Sequence, residues 1–501
     1  MLRRPISSPD KRDRSRTGDT PPAGRPALAG PGPRACGEGF DLLRLAPIRK
    51  LVLGGGFPYA FQALALAGFV ALVFLSWGDF TPPGVGAKLY AQTHLATLVV
   101  WGLWWPAMVW VAVLLGRAWC AVCPLELVAN GAERLGRRLA PPQRALPRWV
   151  TAGWVILALY VLVQMLVAGA GIHRVPAWTS LFLVALLALA VATGLLSKDR
   201  ALCRGFCPVG LLLGTYGRGG MIAVRSGPAE TCGACTGKDC LASGNRARLD
   251  GRSCPSLLNP PRLDSNRDCL VCGQCLKACP PGNLRLLLRR PFALSDAREP
   301  LASWPVTLFV MLASGFVAGE LFTEWPEARA IFLTVPGRAA AALGPSSAGW
   351  LEGIWALAVV PLVSWTLLAL LARWAGPPRS LTLTWRRTAL PLTVVVAAGH
   401  ASKGLAKLVS WAPFLPGAWA EPSGLASAAA IVARTRPQPE PLLALPLVAG
   451  IGVLLVAVAL RYAVRELCLA HPLDRLQLGD YVPLVSVAAV WAGIIAVWTA
   501  Q

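Results

Sequence analysis

Twelve cysteines in four short groups carry the chemistry this sequence offers. The tightest group reads Cys269-Leu-Val-Cys272-Gly-Gln-Cys275-Leu-Lys-Ala-Cys279-Pro280. This is a C-x2-C-x2-C-x3-C-P run, a spacing that wraps a short loop around one face of a [4Fe–4S] cubane. Three thiolates reach three irons, the fourth cysteine leaves toward a different cluster, and the proline turns the chain away. A zinc site would instead show two well-separated C-x2-C pairs, or histidines.

A second, expanded run lies upstream: Cys232-Gly-Ala-Cys235-Thr-Gly-Lys-Asp-Cys240, then Cys254-Pro255. In a two-cluster ferredoxin the remote cysteine of each run crosses over to the other cluster. The expected ligand sets are therefore Cys232, Cys235, Cys240 with Cys279, and Cys269, Cys272, Cys275 with Cys254. The alternative is that Cys232, Cys235, Cys240 and Cys254 hold one cluster, or zinc, by themselves.

The other two groups are Arg117-Ala-Trp-Cys120-Ala-Val-Cys123-Pro124 and Arg200-Ala-Leu-Cys203-Arg-Gly-Phe-Cys207-Pro208. Each follows an apolar stretch, so a helix-plus-motif unit is repeated. Together the pairs supply four thiols. Four thiolates suit a third iron–sulfur cluster, a soft ion such as Cu(I) or a pair of redox dithiols. A structural cap with inert thiols is the plain alternative. Cys36 and Cys468 fall outside every motif and read as ordinary free thiols.

These groups need a frame, and composition supplies it. The chain has 501 residues, is 55% hydrophobic and carries a formal charge of +23; its mean hydropathy is +0.54. A basic nucleic-acid binder would hold far more than 15% charged residues, and the apolar content excludes disorder over most of the length. A bilayer core of about 30 Å takes roughly 20 apolar residues per helix. Nine stretches approach that: 57–77, 92–116, 149–171, 176–196, 303–322, 350–372, 388–412, 441–460 and 481–498. With the N-terminus placed in the cytoplasm, 40 of the 48 Lys and Arg fall in loops on that side and six on the other. The positive-inside rule then puts the cysteine motifs in the cytoplasm, where thiols stay reduced. Residues 1–50 read as a disordered basic tail that sets topology and touches anionic lipid. Residues 51–200 read as a four-span core with the first Cys-Pro motif. The second motif and the double ferredoxin segment occupy 201–300, and 301–501 form a five-span region.

Ionisable groups inside the spans are few. His400 and Lys403 share one helix face with Lys407, a polar stripe fit for a quinone or a proton. His94, near the outer end of the second span, could join His400 as an axial ligand of a b-type haem. Interfacial histidines and snorkelling lysines are the plainer reading, and the favoured one against haem. Glu320 and Glu324 read as interfacial.

The order span, Arg-x-x-Cys with Cys-Pro, two spans, the same motif again, then a double ferredoxin segment resembles the bacterial membrane polyferredoxins. That family includes quinol dehydrogenase subunits of periplasmic nitrate reduction, regulators of nitrous oxide reduction and copper reductases of oxidase assembly. The resemblance covers about residues 90–290. It departs from the family in the first Cys-Pro motif, which is C-x2-C-P where C-x3-C-P is usual, and in the five spans after residue 303. The apolar stretches and the resemblance together lead to an α-helical polytopic protein of the bacterial cytoplasmic membrane, with about nine spans and an inserted cytoplasmic two-cluster ferredoxin-like domain. The implied role is electron transfer, of the oxidoreductase class, between quinone or quinol and a redox partner protein, with no nucleic-acid partner. A copper-handling assembly or regulatory factor is the alternative.

Overall fold

The computed structural model describes residues 39–139, 143–292, 299, 301–472 and 475–500. Most of the expected tail, with Cys36, lies outside the described residues. Nine apolar helices occupy the nine apolar stretches: α1 Tyr59–Leu75, α2 Leu95–Leu115, α3 Trp154–Ala170, α4 Pro176–Leu196, α5 Trp304–Phe322, α6 Pro345–Trp374, α7 Leu381–Ala420, α8 Leu445–Ala470 and α9 Leu478–Val497. Seven are long and apolar enough to cross a membrane. The other two, α1 and α3, are shorter apolar helices. Several begin on proline, as α4 does at Pro176, where the missing N–H costs no helical bond.

The helix α7 is the centre of the bundle, packed by α2, α5, α8 and α9. Every residue from Thr388 to Gly404 is buried. Its small and β-branched residues let the neighbours approach closely; a Cβ on Gly399 would meet the Trp491 ring of α9. The short helix Gly210–Tyr216 follows the second Cys-Pro motif and is buried throughout. Its Leu211, Leu212, Leu213 and Tyr216 join the same core as α5 and α7.

The cysteine-rich segment builds on a three-stranded antiparallel sheet: β1 Phe40–Asp41, β2 Ile222–Ser226 and β3 Leu284–Leu288, in the order β1-β3-β2. Ile222 pairs with Leu288 and Ser226 with Leu284; Phe40 also pairs with Leu288, on its other edge. Leu284, Leu286 and Val224 pack around Cys240, Cys269 and Cys275, and Val52 of the helix Ala46–Leu53 closes that small core. Residues 39–50, expected as the end of a disordered tail, are thus part of the ferredoxin-like unit. The Lys277 ammonium holds the turn that follows them. It donates to the carbonyls of Gly54 at 2.7 Å and Phe57 at 2.6 Å and pairs with Asp250 at 2.8 Å.

Candidate metal centre

The loop around Cys269–Cys279 is curled by backbone of unusual hand. Val271 has φ 53° and Gly273 φ 73°. A β-branched residue rarely takes that region, and does so only where its surroundings impose it. The curl turns Cys269, Cys272 and Cys275 onto one cavity, which Cys254 and Pro255 also line. The other four thiols form a second group: Cys279, Cys232 and Cys235 all act electrostatically on Cys240. The two groups adjoin, since the Cys254 amide donates to the Cys240 carbonyl at 3.1 Å. Asn283 donates through Nδ2 to Cys232 Sγ at 3.1 Å.

The Cys-Pro pairs also converge. Burial, and then the nearness of Cys203, Cys120 and Cys207, pushes the Cys123 thiol far above its ordinary range. Cys207 is pushed up to about 12 by burial, then by Cys203 and Cys120. In the loop, burial pushes Cys269 to about 11, and Cys240 likewise to about 11. Such thiols repel one another as thiolates. A bound cation reverses that balance, because a coordinating thiol is deprotonated outright. Among the described residues, no three His, Cys, Asp or Glu side chains converge closely enough to share a single metal ion. In a polynuclear cluster each thiolate takes its own iron, so its ligands need not meet at one point.

Two arginines tie the Cys-Pro quartet to the loop. Arg200 donates through Nη2 to Cys203 Sγ at 3.4 Å, and its Nε lies 3.1 Å from Glu126 Oε1. The same Glu126 oxygen takes Arg252 Nη2 at 3.1 Å, and the Arg252 amide donates to Gln274 Oε1 at 3.2 Å, between Cys272 and Cys275. Arg117 occupies the matching place in the first motif. It lies three residues before Cys120, donates to the Arg267 carbonyl at 3.3 Å and stands 3.8 Å from Asp268, beside Cys269. Both arginines are buried.

Glu126 belongs to the helix Pro124–Leu139, which also turns Asn130 and Glu133 inward. Burial raises the Glu126 carboxyl, but Arg200 and Arg252 outweigh it and hold the group below its ordinary range. Gln62 of α1 adds a hydrogen bond to Glu126 Oε2 at 2.8 Å. Glu133 accepts the amides of Asp199 and Arg200, each at 3.2 Å, and so clamps a left-handed turn that aims Arg200 at Cys203. Motif spacing singles out none of Gln62, Glu126, Glu133 and Arg252. A glutamine inside an apolar stretch was the one available signal.

A family model described as a 4Fe-4S binding domain matches this chain twice, over residues 97–142 and 179–225. The matched stretches enclose the two Cys-Pro pairs, one repeat each. The chain resembles the membrane polyferredoxins. It is 28% identical over 189 residues to the ferredoxin-type protein NapH of Escherichia coli (strain K12), a match that covers 32% of this chain and 59% of that protein. The chain therefore spans less than two thirds of that relative. No solved structure matches. The polyferredoxin-like features are iron–sulfur binding motifs and a frame of membrane-crossing helices.

The histidines divide. His94 is wholly buried, and both its ring nitrogens are used: Nε2 lies 3.1 Å from Asp79 Oδ2, and Nδ1 accepts the Ala96 amide at 3.2 Å. It caps α2, which leaves no ring nitrogen for iron, and it shares no partner with His400. His400 instead meets Tyr216, whose hydroxyl is 3.4 Å from its Nδ1. Lys403 is ion-paired with Glu324. Cys468, in α8, stands 3.9 Å from the Tyr481 hydroxyl, away from every cysteine group.

Proposed function

We propose that this protein carries electrons along the surface of the bacterial cytoplasmic membrane through two [4Fe–4S] clusters and a third at the Cys-Pro quartet. Cys269, Cys272, Cys275 and Cys254 would hold one cubane, and Cys232, Cys235, Cys240 and Cys279 the other. Cys120, Cys123, Cys203 and Cys207 would hold the third. When bound, the clusters supply one-electron steps, and the chain's own residues set their spacing, dryness and charge. The observation that carries this reading is the Arg200–Glu126–Arg252 bridge, which fastens the quartet to the loop beside Cys272. Electrons would pass between the quinone pool and a redox partner protein, with the N-terminus and cysteine domain on the cytoplasmic side. The charge asymmetry of the loops supports that orientation.

The test is anaerobic purification with iron and sulfide analysis and electron paramagnetic resonance (EPR). About three cubanes per chain, reduced by a quinol and indifferent to copper chelation, fit the proposal. Zinc without sulfide would sink it. Stoichiometric copper lost in Cys120→Ser and Cys207→Ser would favour the copper-handling factor instead.

A further inference from the structure

A set of ionisable groups away from the cysteines sits inside the helical bundle. His400 and Lys403 lie on the fully enclosed stretch of α7. Ionisable side chains at such depth are costly, pair with one another, and mark ion or proton routes. The His400 ring is held edge-on by the Tyr216 and Phe316 rings, at centroid distances of 5.9 and 5.7 Å. Glu320 follows Phe316 by one turn on the same face of α5. One turn further along, Lys403 is ion-paired with Glu324, and its Nζ is 3.7 Å from Glu320 Oε2. Exposure rises along this series. His400 is buried, the Lys403 side chain is 11% exposed, and the Glu320 and Glu324 side chains are 39% and 44% exposed.

The series also has a direction. Arg386 donates to the Ala302 carbonyl at the end of the bundle that meets the cysteine domain. His400 lies about 21 Å further along α7 at ~1.5 Å per residue. Glu320 lies about 24 Å from Trp304 along α5 by the same rise. The buried end, Tyr216, terminates the helix that leaves the Cys207-Pro208 motif. The open end faces away from every cysteine motif.

We infer that Tyr216, His400, Glu320 and Glu324, with Lys403 as the counter-charge, form a proton route from the bundle interior to the face opposite the iron–sulfur centres. The inference rests on the quinone reading above and adds a vector to it. A hydroquinone loses two electrons and two protons to become a quinone. Each electron reduces one oxidised [4Fe–4S] cluster. As the Tyr216 hydroxyl hands its proton to His400 Nδ1 it takes up a hydroquinone O–H proton in exchange, and His400 passes each proton on to the Glu320 or Glu324 carboxylate and so to water. Lys403 stabilises those carboxylates between transfers. Electrons and protons thus leave by opposite faces.

The experiment uses holoprotein in phosphatidylethanolamine–phosphatidylglycerol vesicles loaded with a trapped pH dye. Duroquinol is the donor. External ferricyanide, which cannot cross the bilayer, is the acceptor, so only molecules with the cysteine domain outward turn over. The expected result is luminal acidification of about one proton per electron, abolished by a protonophore. His400→Leu and the double variant Glu320→Gln/Glu324→Gln should lower the luminal yield per electron several-fold, at unchanged iron content and EPR signals. Glu324→Asp, which keeps the carboxylate, should restore most of it relative to Glu324→Gln. Acidification of the external medium by the parent protein, or an unchanged luminal yield in the variants, would overturn the route and leave quinone exchange standing. No ferricyanide reduction by duroquinol, with EPR signals intact, would overturn the quinone reading and the route with it.

Discussion

Arg200 donates to Cys203 Sγ at 3.4 Å, and Arg117, equally buried, holds the same place three residues before Cys120. One relationship therefore appears in both copies of the repeat: a buried cation three residues before the first thiol of each Cys-Pro pair. A cluster gains negative charge on reduction. Hydrogen bonds to its sulfurs and nearby positive charge favour the reduced state. Arg117→Gln and Arg200→Gln should each lower the midpoint potential of the quartet's centre, with the loop clusters moved less, in EPR-monitored titrations. An unchanged or raised potential would count against the arginines as tuning groups.

The fold depends on the same guanidinium. Removing one partner of a buried, hydrogen-bonded charge pair costs about 3–5 kcal/mol, and Arg200→Gln leaves Glu126 with Arg252 alone. The double variant Arg200→Gln/Glu126→Gln should recover part of the thermal stability in detergent that Arg200→Gln loses. A double variant less stable than both singles would show that the pair is not the relevant contact.

Glu126 gives the protein an acid limit. Its folded carboxyl lies below the ordinary value of 4.5 because Arg200 and Arg252 outweigh burial. A depressed folded value contributes stability that is fully present above the unfolded value and lost as pH falls through the folded one. The melting temperature should therefore drop below about pH 4.5, and Glu126→Gln should flatten that drop. Equal acid slopes in the two proteins would exclude Glu126 as its source.

Crossed cysteine sets have a signature that sequential sets lack. Cys254 shares a cavity with Cys269, Cys272 and Cys275, although it follows Cys240 in the chain. Cys254→Ser should perturb the same EPR signal as Cys272→Ser, and Cys279→Ser the same signal as Cys232→Ser. If Cys254→Ser instead tracks Cys232→Ser, each run holds its own cluster.

What the sequence disclosed was local. The cysteine spacings carry their own geometry, because a cubane dictates the separation of its ligands over a dozen residues. Apolar stretches located the helices, of which α1 and α3 are the shorter ones. Contacts across long separations were invisible. Glu126 meets Arg252 through folding alone, and Phe40 finds Leu288 across most of the membrane core. A capping histidine and a ligand histidine look alike in sequence, and only the partners of both His94 nitrogens tell them apart. Glu320 and Glu324, read as interfacial from their place at the end of α5, are partly exposed, and nothing in the sequence signals that Lys403 stands beside them.

The strand Phe40–Asp41 sits on the edge of β3, and this has a consequence for biogenesis. About 250 residues and four apolar helices separate the two edges, which at ~5–20 residues per second is roughly 12–50 s of synthesis. The first segment of the cysteine domain emerges from the ribosome long before its last. It must wait at the membrane while the hairpins between insert. Iron–sulfur loading can be completed only after that insertion, so a stalled or mis-inserted chain presents cofactor machinery with an unfinished acceptor.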